Sequence, residues 1–136
     1  MATVEHLTRP GMKPLLEPYG LCEAVRKGRT LHISGQTGIG EDHQVVAGGL
    51  KAQAVQAFRN LNAVVELAGG TVSDIVSLTW YLTEGADRRS FMEDAVEVTA
   101  AKEEVMPGVH PAMTAVRVAA LLTPDLRIEI QGIAEL

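Results

Sequence analysis

At 136 residues the chain is the size of one compact domain, and with 46% apolar residues it buries enough surface to fold without disulfides or metals. Twelve Lys and Arg against 17 Asp and Glu give a net charge of −5, which argues against a grip on nucleic-acid phosphates. The single cysteine, Cys22, excludes an internal disulfide and a thiolate metal set, and no run approaches the roughly 20 apolar residues of a membrane helix. The expectation is one domain spanning 1–136, cytoplasmic, with no nucleic-acid or membrane partner and no cofactor.

With one Trp, two Tyr and two Phe, the core has to be aliphatic. A short edge strand fits Val4 to Leu7, followed by a loop carrying Pro10 and Pro14. Leu21 to Lys27 and Thr30 to Gln36, joined at Gly28-Arg29, read as a β-hairpin whose tip holds the densest basic cluster. In its second arm strict alternation sets Leu31, Ile33 and Gly35 on one face and His32, Ser34 and Gln36 on the other. From Leu50 to Ala68, apolar residues recur at the i, i+3/i+4, i+7 spacing of a helix, with Gln53, Gln56, Arg59 and Asn60 assigned to the outer side; Gly69-Gly70 ends it.

Ile75 to Thr83 alternates as a strand, Val76, Leu78, Trp80 and Leu82 on one face. A second, less periodic helix is expected from Arg88 to Glu104. After Met106-Pro107-Gly108 a strand opens near Met113 and runs to Ala120, and the closing strand runs from Leu126 to Glu135. The order β-β-β-α-β-α-β-β predicts an α+β domain with two helices on one face of a mixed six-stranded sheet. The other face is semi-polar and so is expected to meet another subunit in a symmetric homo-oligomer.

The run Leu31-His32-Ile33-Ser34-Gly35-Gln36, the Gln53 to Leu61 helix, Asp74-Ile75-Val76 and the ending Ile128-Glu129-Ile130-Gln131-Gly132-Ile133-Ala134 resemble the reactive-intermediate (enamine/imine) deaminase family, also known as endoribonuclease L-PSP. The resemblance covers the chain from about Leu21 onward. It implies a chorismate-mutase-like fold, a homotrimer with a small-molecule cleft between subunits, and hydrolysis of an imine to a carbonyl compound and ammonia without metal or cofactor. Active members carry Pro-Ala-Arg at the start of the penultimate strand, where the arginine grips a substrate carboxylate. This chain reads Pro111-Ala112-Met113, has Ala115 where the family has Cys, and has Gln131 at an acidic position of the ending.

A thioether cannot hold a carboxylate, so an altered substrate or weakened hydrolysis is expected; a non-catalytic metabolite-binding or regulatory protein of the same fold is the alternative. The residues expected to line the cleft are Met113, Ala115, Ser34, Gln36, Tyr19 and His110, with Gln131 and Glu17 as candidate catalytic groups. Glu17 reads either as a replacement base or as a solvated loop acid. Arg117 reads either as a substitute cation or as a cross-strand partner of Glu129 or Glu135. His32 and His110 lack metal-ligand spacing. Ribonuclease activity is the least supported reading, because no basic, aromatic groove is legible.

Overall fold

Alternating apolar residues build one mixed sheet, and the computed structural model, which describes residues 3–136, places its strands in the order β1-β2-β3-β6-β4-β5. In chain order these are β1 (Val4–Leu7), β2 (Ala24–Lys27), β3 (Thr30–Thr37), β4 (Ile75–Leu82), β5 (Ala112–Arg117) and β6 (Ile128–Glu135). Only β4 and β5 run parallel, connected by a helical crossover. The helices are a single turn, α1 (Lys13–Leu16), and two long ones, α2 (Gly49–Leu67) and α3 (Phe91–Val105).

The long helices lie side by side on one face of the sheet. From α2, Leu50, Ala54, Ala57, Phe58, Leu61 and Val64 are buried against Leu31, Leu78, Trp80 and Ile130 of the strands. Each large side chain so buried contributes about 1.5–3 kcal/mol. Phe58 meets Trp80 edge to face, 6.1 Å between ring centroids, in an otherwise aliphatic core. α3 begins at Phe91, three residues later than its periodicity suggests, because Ser90 caps it. The Ser90 hydroxyl accepts from Glu93 N at 3.1 Å and the Glu93 carboxylate reaches back to Ser90 N.

Several sequence expectations are corrected. The loop after β1 is a chain of tight turns: a 3-10 turn at Pro10–Met12, then α1, then a second 3-10 turn at Glu17–Tyr19 that closes on Gly20 at φ 70°. β2 starts at Ala24 rather than Leu21, β5 stops at Arg117 rather than Ala120, and β6 starts at Ile128 rather than Leu126. An irregularity in the β3–β6 pairing between Ile33 and Gln36 reverses the alternation, so Gln36 turns into the protein instead of sharing a face with Ser34. A similar shift between Ile75 and Ser77 leaves Val76 exposed.

Gln53 and Asn60, expected on the outer side of α2, are buried. Met113 and Ala115 were expected to line a cleft between subunits. They pair with Leu78 and Trp80, on the helix-covered side of the edge strand β5.

Candidate functional site

The site arises because β2 is shorter than β3. The pairing of β2 ends at Ala24–Ile33, so the Ser34–Thr37 end of β3 is paired with β6 on one side and has no strand on the other. The segment from Arg9 to Cys22 closes over that edge and leaves a cavity of about 510 Å3, within the size range of small-molecule sites. Its walls are Met12, Leu15, Leu16, Leu21, Leu122 and Leu126, and its polar groups are few.

One ion pair holds the covering segment down. Arg9 Nε donates to Glu23 Oε2 at 2.9 Å and NH2 donates to Oε1 at 2.6 Å, while the Arg9 backbone N–H also donates to Oε2 at 3.0 Å. Glu23 is 1% exposed, and the bidentate guanidinium supplies the hydrogen bonds that water does not. Arg9 NH2 makes a longer contact with Gln36 Oε1, and Gln36 Nε2 donates to Ser34 O at 3.1 Å. The Ser34 hydroxyl donates to Cys22 O at 2.8 Å, and Ser34 N donates to Glu23 O at 2.8 Å. From α2, Asn60 Nδ2 donates to Thr37 O and Ile39 O, both at 2.9 Å, and so fixes the exit of β3.

The remaining polar group of the cavity is Glu129 of β6. Its side chain lies over Gly35, where a Cβ would sit 2.7 Å from Glu129 Cδ. Burial pushes its carboxyl above the usual range, and no cation opposes that shift. A half-buried carboxyl whose burial favours its protonated form, set among apolar walls, is suited to proton transfer.

Of the residues singled out from the sequence, Ser34 and Gln36 line this cavity. Gln131 lies one alternation beyond Glu129 and accepts a hydrogen bond from the Tyr81 hydroxyl at 3.1 Å, outside the lining. Glu17 is exposed beside a different hollow, with His6, Lys13 and Cys22. Tyr19 and His110 are exposed. Met113 and Ala115 stand on β5, separated from β3 by β6 and β4, so one subunit does not bring them to the cavity.

Arg117 is neither a substitute cation there nor a partner of Glu129 or Glu135. Its strand face is covered by α3, where NH1 donates to Asp94 Oδ2 at 2.8 Å and to Thr83 O at 3.0 Å, and its guanidinium sits over the Phe91 ring.

Arg9, Glu23, Asn60 and Glu129 were not picked out from the sequence. Glu129 carried a signal, an acid between two isoleucines whose alternation sends it away from the core. Arg9 and Glu23 carried none, being 14 residues apart on either side of irregular turns.

Among the described residues no helix is long and apolar enough to cross a membrane. The family profile described as endoribonuclease L-PSP matches residues 14–136. The chain is 33% identical over 117 residues to a 2-iminobutanoate/2-iminopropanoate deaminase of Dermatophagoides farinae, covering 85% of this chain and 84% of that one. It is 35% identical over 118 residues to the mouse protein of the same name, covering 86% and 80%. A crystal structure of a Rid-family protein of unknown function from Yersinia pestis superposes with a TM-score of 0.81 at 25% identity, covering 98% of this chain and 100% of that one. The chain belongs to the endoribonuclease L-PSP family, the reactive-intermediate deaminases.

Proposed function

We propose that the protein hydrolyses a small imine to a carbonyl compound and ammonia in the cavity between β3, β6 and the Arg9–Cys22 segment. The observation that carries this reading is Glu129, a carboxyl kept partly out of water in an apolar pocket, in a chain whose relatives are named as imine deaminases.

The chemistry needs one group that both gives and takes a proton. Protonated Glu129 donates to the imine nitrogen, and the resulting carboxylate takes a proton from water as its oxygen adds to the carbon. The carboxyl then protonates the amine nitrogen and recovers a proton from the new hydroxyl as the C–N bond breaks. Carbonyl and ammonia leave, and Glu129 is again protonated; one imine and one water are consumed. A carboxyl with an ordinary pKa is ionised near neutrality and is a poor donor for the first step, so burial of Glu129 serves the reaction directly.

The reading includes a homotrimer in the cytoplasm. Leu122 at the cavity mouth is 93% exposed and Leu21 is 57% exposed, while Met113 on the edge strand is 47% exposed. Apolar side chains left open at a cavity mouth and on a sheet edge fit a shared interface, with β5 of one subunit closing the cavity of the next. In that arrangement Met113, Ala115 and His110 join Ser34 and Gln36, and Tyr19 rims the opening.

Met113, at the position where active relatives carry arginine, favours the second reading, a metabolite-binding protein without turnover. An imine released in situ by an amine oxidase, with carbonyl formation followed in stopped flow, separates the two. Hydrolysis above the buffer rate, at least about tenfold lower in Glu129→Gln, supports the enzyme. A wild-type rate equal to buffer rejects it. Sedimentation velocity reads the trimer separately.

A further inference from the structure

The charges around the cavity narrow what enters it. Its lining holds three acidic or basic side chains, Arg9, Glu23 and Glu129. Arg9 is engaged by Glu23 through both Nε and NH2, and Glu23 is sealed from water, so the guanidinium cannot turn to a guest without abandoning a buried carboxylate. The pair is neutral, and the charge left facing the cavity is that of Glu129. The other contacts on offer are mostly apolar surface, from Met12, Leu15, Leu16, Leu21 and Leu122, with uncharged polar groups from Ser34, Gln36, Thr37 and Asn60.

From this balance we infer that the cavity selects imines and amines with an aliphatic body and no acid group, and rejects carboxylates. An iminium or ammonium nitrogen sits against Glu129, and the hydrocarbon lies on the leucines. A carboxylate guest would meet the Glu129 charge with no free cation from the same subunit to offset it. The inference takes its chemistry from the imine-hydrolase reading but makes a claim about charge that can be measured without turnover.

The test is a ladder of three ligands with one carbon skeleton: isoamylamine, isovaleramide and isovalerate. Calorimetric titration of the intact protein at mildly alkaline pH is expected to rank amine over amide over acid. At least about tenfold should separate the ends, equivalent to about 1.4 kcal/mol. Glu23→Gln removes the counter-ion of Arg9 and is expected to improve isovalerate binding by about tenfold. Should that variant fail to fold, the ladder on the wild-type protein still decides.

Isovalerate binding as tightly as isoamylamine overturns the inference, as does binding of none of the three. Faster hydrolysis of a carboxylate-bearing imine than of an uncharged one also overturns it, while leaving the hydrolase standing. An intact ladder with no turnover of any imine removes the hydrolase reading alone.

Discussion

Gly35 and Glu129 occupy each other's space: a methyl group on Gly35 would fall 2.7 Å from Glu129 Cδ and 2.8 Å from Oε2. The acid lies where it does because the strand beside it has no side chain at that point. Replacing Gly35 with Ala is expected to leave the fold intact, since the obstructing group is the end of a flexible side chain that can swing away. The Glu129 carboxyl then moves toward water and its pKa falls toward the ordinary glutamate range. Carbon-detected NMR titration of the Glu129 carboxyl in wild type and Gly35→Ala checks this, and an unchanged titration would separate the glycine from the acid.

Glu129 is also expected to weaken the fold at the pH where it is ionised. Its pKa is raised in the folded protein, so the stability it contributes is full below the unfolded glutamate pKa and is lost as pH rises through the folded value. Glu129→Gln should therefore raise the melting temperature above that folded pKa. In acid, where the glutamate is neutral in both states, the substitution should change little. Scanning calorimetry at the two pH extremes reads the difference, and a variant less stable at alkaline pH contradicts it.

Asp94, 1% exposed at the start of α3, is shared by Arg89, Arg117 and Arg127 at 2.8, 2.8 and 3.0 Å. Burial alone would raise its pKa, but hydrogen bonds from Arg117 and Arg89 and the charge of Arg127 outweigh it and hold the carboxyl below its usual range. Asp94→Asn leaves three guanidiniums without their common anion and is expected to cost about 3–5 kcal/mol near neutral pH. The cost should shrink as pH falls through the depressed native pKa, where wild type loses the same charge. Urea unfolding of both proteins along a pH series provides the measurement.

Gln53 of α2 accepts from Arg127 N at 2.8 Å and donates to Asp125 O at 3.0 Å, tying the helix to the entry of β6. Gln53→Leu removes both bonds and strands two backbone groups, an expected loss of about 2–3 kcal/mol. Hydrogen exchange should show faster opening at Arg127 first.

The same side chain marks the limit of what the sequence disclosed. The two long helices, the six strands and the order of these elements were legible in the sequence, because burial of Leu, Ile and Val is periodic wherever the backbone is regular. Gln53 and Asn60 look like surface residues in that pattern, yet both are buried as caps for irregular backbone that periodicity does not register. The irregular β3–β6 pairing that turns Gln36 inward is equally silent, since one extra residue reverses the alternation without changing composition. Ser34 was legible as a cavity residue through Gly35 beside it. Gln131 was singled out through the family resemblance and Glu129 was not, because alternation puts both on one face and cannot tell which of them lies against a glycine. The pairing of Arg9 with Glu23 depends on tight turns at prolines, whose paths are set by local dihedral angles.

The interaction of Arg9 with Glu23 is open to a double-substitution test. Arg9→Met alone leaves a buried acid without its cation, at an expected cost of about 3–5 kcal/mol. Adding Glu23→Met should restore most of that loss, since two apolar side chains can replace a buried pair. Denaturant unfolding of the single and double variants checks the coupling; equal losses in both would mean that Glu23 does not depend on Arg9.

The turns from Pro10 to Tyr19 contribute no buried residue, yet neighbouring and included side chains make much of the cavity wall. Architecture and chemical taste are therefore written on different parts of this polypeptide. Exchanging the ten residues from Pro10 to Tyr19 for a relative's counterpart is expected to leave the scaffold beneath sound. Diversification of this lineage has a cheap place to happen, and transplanting that ribbon is the natural way to retrain the molecule for new guests.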